Sequence, residues 1–258
     1  LESVFKKIQE GNTILFLGAG ASVGEKRYLS REIIQYYEQY LGYNLDESNI
    51  TKFVDMLSAN STFSRSHFDN FVMTLLQKLN VTDAHRILAT IPWRQVITTK
   101  YDLLVERAYD EISATYQKQY DLQVVRNIKQ YNYTEANTEV KYIKLNGCMQ
   151  DKSLYPFAFS TADFNKLRQY YKIVINDLKN VSSDIQFLSV GYSYQDKFGQ
   201  ELLDKFDSYN YRDKRWIFNV DPYPNENALA YYRDNRICII KCSFEDFLGK
   251  YKVWEDEH

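Results

Sequence analysis

The sequence predicts an α/β domain, a Rossmann-like parallel sheet with helices on both faces and a helical insertion or cap. Three observations carry this reading. The apolar run Thr13-Ile14-Leu15-Phe16-Leu17 stops at Gly18, the form of a strand buried on both faces that runs into a turn. Short apolar runs then alternate with segments that place apolar residues three and four apart, and strand–helix–strand repetition winds a parallel sheet between two helical layers. The stretch 28–90 breaks the rhythm, being long, helical in pattern and without a clear strand.

After the first strand, further strands are expected at Gln95–Thr98, 141–145, 185–190, 215–220 and 237–240, and helices at 101–112, 162–180, 197–207, 225–234 and 244–251. Residues 126–139, rich in Asn, Tyr, Thr and Glu, read as an irregular connection. This gives a nucleotide-binding core over 1–27 and 91–258 with a helical insertion or cap over 28–90. The chain opens without an initiator Met and ends in Trp254-Glu255-Asp256-Glu257-His258, so a domain cut from a larger multidomain protein is expected.

Composition narrows the function classes. With 32 Lys and Arg against 34 Asp and Glu, the formal charge is −2, so no global basic field draws nucleic acid or an anionic membrane, and direct nucleic-acid binding is not expected. The 23 Tyr and 15 Phe are scattered through helical segments, as core packing and interface contact require, rather than gathered beside basic residues as a stacking groove would be. No apolar run approaches the ~20 residues that span a bilayer. The three cysteines, Cys148, Cys238 and Cys242, form no C-x-x-C pair, and residues 1–7 do not have the form of a secretory leader, so a reducing, cytoplasmic setting without disulfides is expected. His67, His85 and His258 are the only histidines, and no two are spaced as metal ligands, so no metal is expected. His85 is expected to face the core or the surface of the cap.

The chemistry-bearing residues stand after the strands. Gly18, Ala19, Gly20, Ala21 and Ser22 form a glycine loop where backbone amides can cradle a pyrophosphate. Thr98-Thr99-Lys100-Tyr101-Asp102, Lys144-Leu145-Asn146-Gly147, Gly191-Tyr192-Ser193 and Asn219-Val220-Asp221-Pro222 follow four later strands. Each motif has a bland alternative. Ser22 and Asp102 are good helix caps, Gly191 and Ser193 could form a surface turn, and Asp221-Pro222 could simply start a loop.

In order and spacing this series resembles the sirtuin family, over nearly the whole chain. The family pattern is Gly-Ala-Gly-x-Ser, Thr-(Thr/Gln)-Asn-x-Asp, Lys-Leu-His-Gly, a Gly-x-Ser strand end and an Asn-containing strand end. The resemblance implies an NAD or ADP-ribose-like nucleotide held by Gly18, Ala19, Gly20, Ala21 and Ser22 at the pyrophosphate, Gly191 and Ser193 at phosphate or ribose, Asn219 and Asp221 at the adenosine ribose, and Cys242 near adenine. A small buried packing residue is the alternative for Cys242.

The family's catalytic positions fall on Lys100, Asp102 and Asn146, and two are substituted. Where the family has an Asn that contacts the nicotinamide-side ribose, this chain has Lys100, and where it has the His that takes a ribose proton, this chain has Asn146. An amide offers no basic lone pair near neutral pH, and losing a proton-transfer group typically costs about 10²–10⁴ in rate. A lysine near C1′ would repel the oxocarbenium-like centre formed as nicotinamide leaves.

The zinc module and Asp-Phe-Arg segment of the deacylases are missing, so no deacylase is expected. The helical stretch 28–90 is closer in style to the sirtuin-like domains of bacterial antiphage defence proteins, whose implied activity is NAD hydrolysis and whose implied partners are further domains or other defence proteins. The expectation is a catalytically degenerate NAD or ADP-ribose-binding domain. An active NAD+ glycohydrolase that depletes NAD, and a structural oligomerisation domain with an empty pocket, are the alternatives; a homo-oligomer is open in each.

Overall fold

The structure, a computed structural model, describes residues 1–22, 28–115, 120–131, 139–194, 196–207, 217–224 and 226–258. Of the expected elements, Arg215 and Trp216, Asn225, and 132–138 of the irregular connection lie outside the described residues. One parallel sheet contains β1 (Thr13–Leu17), β2 (Gln95–Thr98), β3 (Asp121–Val125), β4 (Glu139–Lys144), β5 (Gln186–Val190), β6 (Ile217–Val220) and β7 (Cys238–Ile240), in the order β3-β4-β2-β1-β5-β6-β7.

Side-chain alternation explains the two helical layers. Leu15 and Leu17 face one side with Val96, Tyr142, Leu188 and Val190. There they meet α1 (Glu2–Gln9), α5 (Asp83–Leu88), α6 (Leu104–Thr115) and α11 (Phe244–Glu257). Ile14 and Phe16 face the other side with Ile97, Ile143 and Phe187, covered by α8 (Thr161–Asn180), α9 (Lys197–Asp207) and α10 (Glu226–Asp234). Because β1 is covered on both faces, its residues are buried throughout.

A third cluster belongs to α2 (Ser30–Leu41), α3 (Ile50–Ser58) and α4 (Arg65–Leu76), whose Ile34, Phe53, Phe68 and Val72 pack with Leu104, Met149, Phe157 and Phe159 of the core. Polar clasps fix the group in place. Arg65 Nη1 bonds Asp163 at 2.7 Å and Nη2 donates to the Phe157 carbonyl at 2.6 Å, while Thr161 Oγ1 donates to Asp55 Oδ2 at 2.6 Å. Both clasps meet α8 at its amino end, where Ser160 and Asp163 form a capping box.

The structure adds elements that the sequence pattern does not announce. β3 is an edge strand with one face partly exposed, so its apolar signal is thin. The short helices α1 and α7 (Ile128–Tyr131) are likewise new, the latter inside the stretch expected to be irregular. No strand occurs among the described residues of 28–90, but α5 packs in the sheet-covering layer with α6 and α11 rather than with α2, α3 and α4. Among the described residues, no helix is long and apolar enough to cross a membrane.

Candidate nucleotide-binding site

Parallel pairing sets the carboxyl ends of six strands in one row. Leu17 pairs with Thr98 and Val190, Thr98 with Lys144, Val190 with Val220, and Val220 with Ile240. The motif residues that follow these strands therefore start from the same edge of the sheet. At β1 the strand order switches direction, with β2 on one side and β5 on the other. Loops that diverge at such a point leave a crevice, where open α/β sheets bind ligands.

The glycines at this point are required first by the chain itself. Gly18 N donates to the Val190 carbonyl at 3.0 Å and Gly20 N to the Gly191 carbonyl at 3.2 Å. A Cβ on Gly18 would lie 2.0 Å from Gly191 O, and one on Gly20 would lie 2.7 Å from Gly191 Cα. Gly191 itself has φ +60°, in the left-handed region. The two strand ends thus interlock, and the Gly20 amide already has a partner. Beyond them lies a single 3-10 turn, Ala19–Ser22.

Two cavities flank this turn, with Ala19 lining both. The first, about 520 Å³, is walled by Ser22, Lys100, Asp102, Asn146 and Asp196, with Asn49 and Ile50 on the α2–α4 side. The second, about 540 Å³, is walled by Gly191, Ser193, Asn219, Asp221, Tyr232 and Ser243.

In the first cavity, Lys100, Asp102 and Asn146 come together on buried side chains. Lys100 is 4% exposed, and its Nζ lies 3.6 Å from Asp102 Oδ1 without a hydrogen bond among the described residues. Asp102 is better satisfied: Oδ2 accepts from Ser22 Oγ at 2.9 Å and Oδ1 from the Leu104 amide at 3.1 Å. It caps α6 and anchors the glycine turn at once. Burial pushes the Lys100 amine down from its ordinary range, with Asp102 opposing that fall. For Asp102, burial acts upward, but Lys100, Lys144 and the Leu104 amide hold the carboxyl below its usual range.

Lys144 braces the pair from beneath, donating to the Asp102 carbonyl and to Glu106 Oε1, the latter at 3.0 Å. Asn146 Oδ1 accepts from Tyr171 OH at 2.6 Å, which leaves its Nδ2 hydrogens and the second lone pair of Oδ1 for a ligand.

Two titratable residues near this cavity are not among the expected site residues. Asp196 follows the Gly191-Tyr192-Ser193 strand end, and its Oδ1 accepts from Tyr192 OH at 2.8 Å and from the Gly199 amide at 2.7 Å. Burial raises its pKa, against those two donors. The only signal in the sequence is a carboxylate shortly after a strand-end glycine. His85, on α5, is 2% exposed, and its ring meets Phe244 edge-on at 5.2 Å. Its Nδ1 accepts from the Thr82 amide at 3.2 Å, so the ring is neutral with its proton on Nε2. Burial and the Lys100 charge push its pKa down to about 3.

A depressed histidine pKa means that the unfolded chain binds the proton first. Stability contributed by neutral His85 is present above the unfolded pKa of 6.5 and is lost as pH falls toward 3. Going from about pH 7 to about pH 5 should cost roughly 2 kcal/mol through this residue. Urea midpoints of the wild type and His85→Gln at both pH values check this; the same pH dependence in both proteins would refute it.

The second cavity is built from acceptors and rings. Asn219 is buried, its Oδ1 accepting from Ser189 Oγ at 2.6 Å, and Asp221 Oδ1 accepts from the Tyr223 amide at 3.0 Å. Tyr223, Tyr232 and Phe244 bring aromatic surface. Ser193 lies in the wall beside Gly191. Cys242 packs in the core with Phe244 and Phe247, and Ser243, Phe244 and Glu245 form the wall at that end. Ser243 also caps α11.

A family model described as a SIR2-like domain matches residues 94–240, more than half of the chain, from just before β2 to the end of β7. The chain belongs to the SIR2-like domain family. Its curated relatives include three proteins named NAD(+) hydrolase ThsA. The one from Bacillus cereus (strain MSX-D12) is 24% identical over 81% of this chain and 43% of its own length, and the one from Enterococcus faecium 24% over 84% and 43%. That from Acinetobacter baumannii (strain 532279) is 23% identical over 93% of this chain and 50% of its own. The chain therefore spans about half, or less, of the length of these relatives. A solved structure described as "Structural Basis for the Mechanism and Regulation of Sir2 Enzymes" matches 97% of this SIR2-like chain and 94% of its own, with a TM-score of 0.54 and 14% identity, a likeness of fold.

Proposed function

We propose that this SIR2-like domain binds NAD or ADP-ribose without efficient cleavage, as the nucleotide-sensing part of a larger bacterial antiphage protein in the cytoplasm. One observation carries the reading: two cavities of similar size, about 520 and 540 Å³, that share Ala19 of the glycine turn as a wall at the switch point of a parallel sheet. A dinucleotide has two bulky ends and an anionic middle, and this crevice matches it. Ala19 and Ser22 would border the pyrophosphate, Asn219 and Asp221 would receive ribose hydroxyls, and Tyr232 and Phe244 would flank a base. Gly18, Gly20, Ala21 and Gly191 serve by holding the turn in place. We assign the remaining expected residue, Cys242, to packing behind the base site. The helices of 28–90 act as the cap, with α2, α3 and α4 over the first cavity; further domains of the parent protein would read the bound state.

The reading as a degenerate enzyme rests on the substitutions. An Asn146 amide has no basic lone pair near neutral pH and cannot take a ribose proton, and Lys100 places a cation or its amine beside it. The second reading, an active glycohydrolase, is favoured by Asp196, a half-buried carboxyl in the same cavity with a raised pKa that could serve as a base. Isothermal titration with NAD and ADP-ribose tests the proposal. Saturable binding of at least one is expected, weakened about tenfold or more by Asp221→Ala, which removes a charged acceptor. Absence of binding at millimolar ligand would reject it.

A further inference from the structure

Resting on that nucleotide reading, we infer that Lys100 makes this cleft selective for an ADP-ribose end with free ribose oxygens, against the pyridinium end of oxidised NAD. The two cavities differ in what they lack. The second offers acceptors, among them Asp221 and Glu245, together with aromatic rings, and suits a nucleoside with ribose donors. The first sets two donors, Lys100 and Asn146, beside the carboxylates of Asp102 and Asp196. Lys100 lines the cavity, and its Nζ, buried with Asp102 Oδ1 3.6 Å away, makes no hydrogen bond among the described residues. Both oxygens of its neighbour Asp102 are already engaged, by Ser22 Oγ and the Leu104 amide. Asn146 spends one oxygen lone pair on Tyr171 and keeps its amide hydrogens.

A buried amine that keeps an ion-pair neighbour but makes no hydrogen bond is under-satisfied, so a ligand that brings an oxygen acceptor gains an interaction here that no existing contact has to give up. The terminal ribose of ADP-ribose carries free hydroxyls at C1, C2 and C3, each able to accept from Lys100. Oxidised NAD replaces one of them with a flat, positively charged ring. That exchange removes an acceptor and sets a cation on the Lys100 side of the cavity, where a protonated Lys100 would repel it.

Calorimetric titration of the chain with ADP-ribose, oxidised NAD and reduced NADH tests this, because the last two share their shape and differ in ring charge. ADP-ribose should bind about tenfold or more tighter than oxidised NAD, with NADH between them. Lys100→Met, checked by circular dichroism for an unchanged fold, should bring the ADP-ribose to NAD affinity ratio close to one. Equal binding of ADP-ribose and oxidised NAD by the wild type would overturn the inference while leaving the nucleotide reading intact, and it needs no variant to fold. A ratio unchanged in folded Lys100→Met would overturn the role of Lys100. If none of the three ligands binds, the nucleotide reading itself fails, and this inference with it.

Discussion

The double variant Asn146→His, Lys100→Asn is expected to release nicotinamide from NAD at least about a hundredfold faster than the wild type, the lower end of what a single positioned proton-transfer group supplies. Asn146 already sits in the wall of the first cavity, held by Tyr171, so an imidazole there would meet the ligand from a buried, oriented position. A neutral imidazole titrates near pH 7 and can take a ribose proton, which the amide cannot. Removing Lys100 also removes a cation from the path of developing positive charge. Each single change should do less. The histidine alone would work against the ammonium, and Lys100→Asn alone would lack a base. Chromatographic assay of nicotinamide, at equal folded concentration of all four proteins, checks the order of rates. A double variant no faster than the wild type would mean that these residues are not at the reacting end.

Gly18→Val should abolish nucleotide binding, with a loss of at least about a hundredfold in affinity and a markedly lower urea midpoint, because overpacking of a rigid backbone contact costs about 1–3 kcal/mol or more. The added Cβ would lie 2.0 Å from the Gly191 carbonyl oxygen, and neither backbone can yield without parting β1 from β5. The effect reaches the ligand indirectly. If the strand ends separate, Ala19 no longer forms the wall that the two cavities share. Gly42→Ala is the control, since its Cβ meets nothing within 4 Å, although its φ of +77° still carries modest strain. Titration calorimetry and urea unfolding of the two variants should differ sharply. Retention of wild-type affinity by Gly18→Val would show that the glycine turn does not shape the site.

Much of this architecture was legible in the sequence for a physical reason. Central parallel strands are apolar on both faces, so runs such as Thr13–Leu17 and Gln95–Thr98 stand out, and the polar motifs after them mark the sheet edge. β3 hid because an edge strand with exposed Asp121 and half-buried Gln123 carries little periodic signal. The first-cavity residues were found by motif, but their condition was not. That Lys100 would be buried against Asp102, with Ser22 on the other oxygen, depends on three segments meeting at the switch point. His85 was placed in the helical stretch 28–90, yet α5 folds back onto the sheet layer and sets the ring against Phe244 beside the Lys100 charge. Asp196 follows a recognised strand end by three residues, and the burial that raises its proton affinity, against the hydrogen bonds from Tyr192 and the Gly199 amide, leaves no local mark in the sequence. Local pattern reveals elements, whereas the state of a titratable group is set by contacts from distant parts of the chain.

The central claim, nucleotide binding without efficient cleavage, is tested most directly by incubating NAD with a molar excess of the unmodified chain and following nicotinamide by chromatography while titration records binding. Bound NAD that stays intact over hours is the predicted result. Prompt release of nicotinamide by the wild type, unchanged in Asn146→Ala and lost in Asp196→Asn, would contradict the account and make Asp196 the base of a working hydrolase.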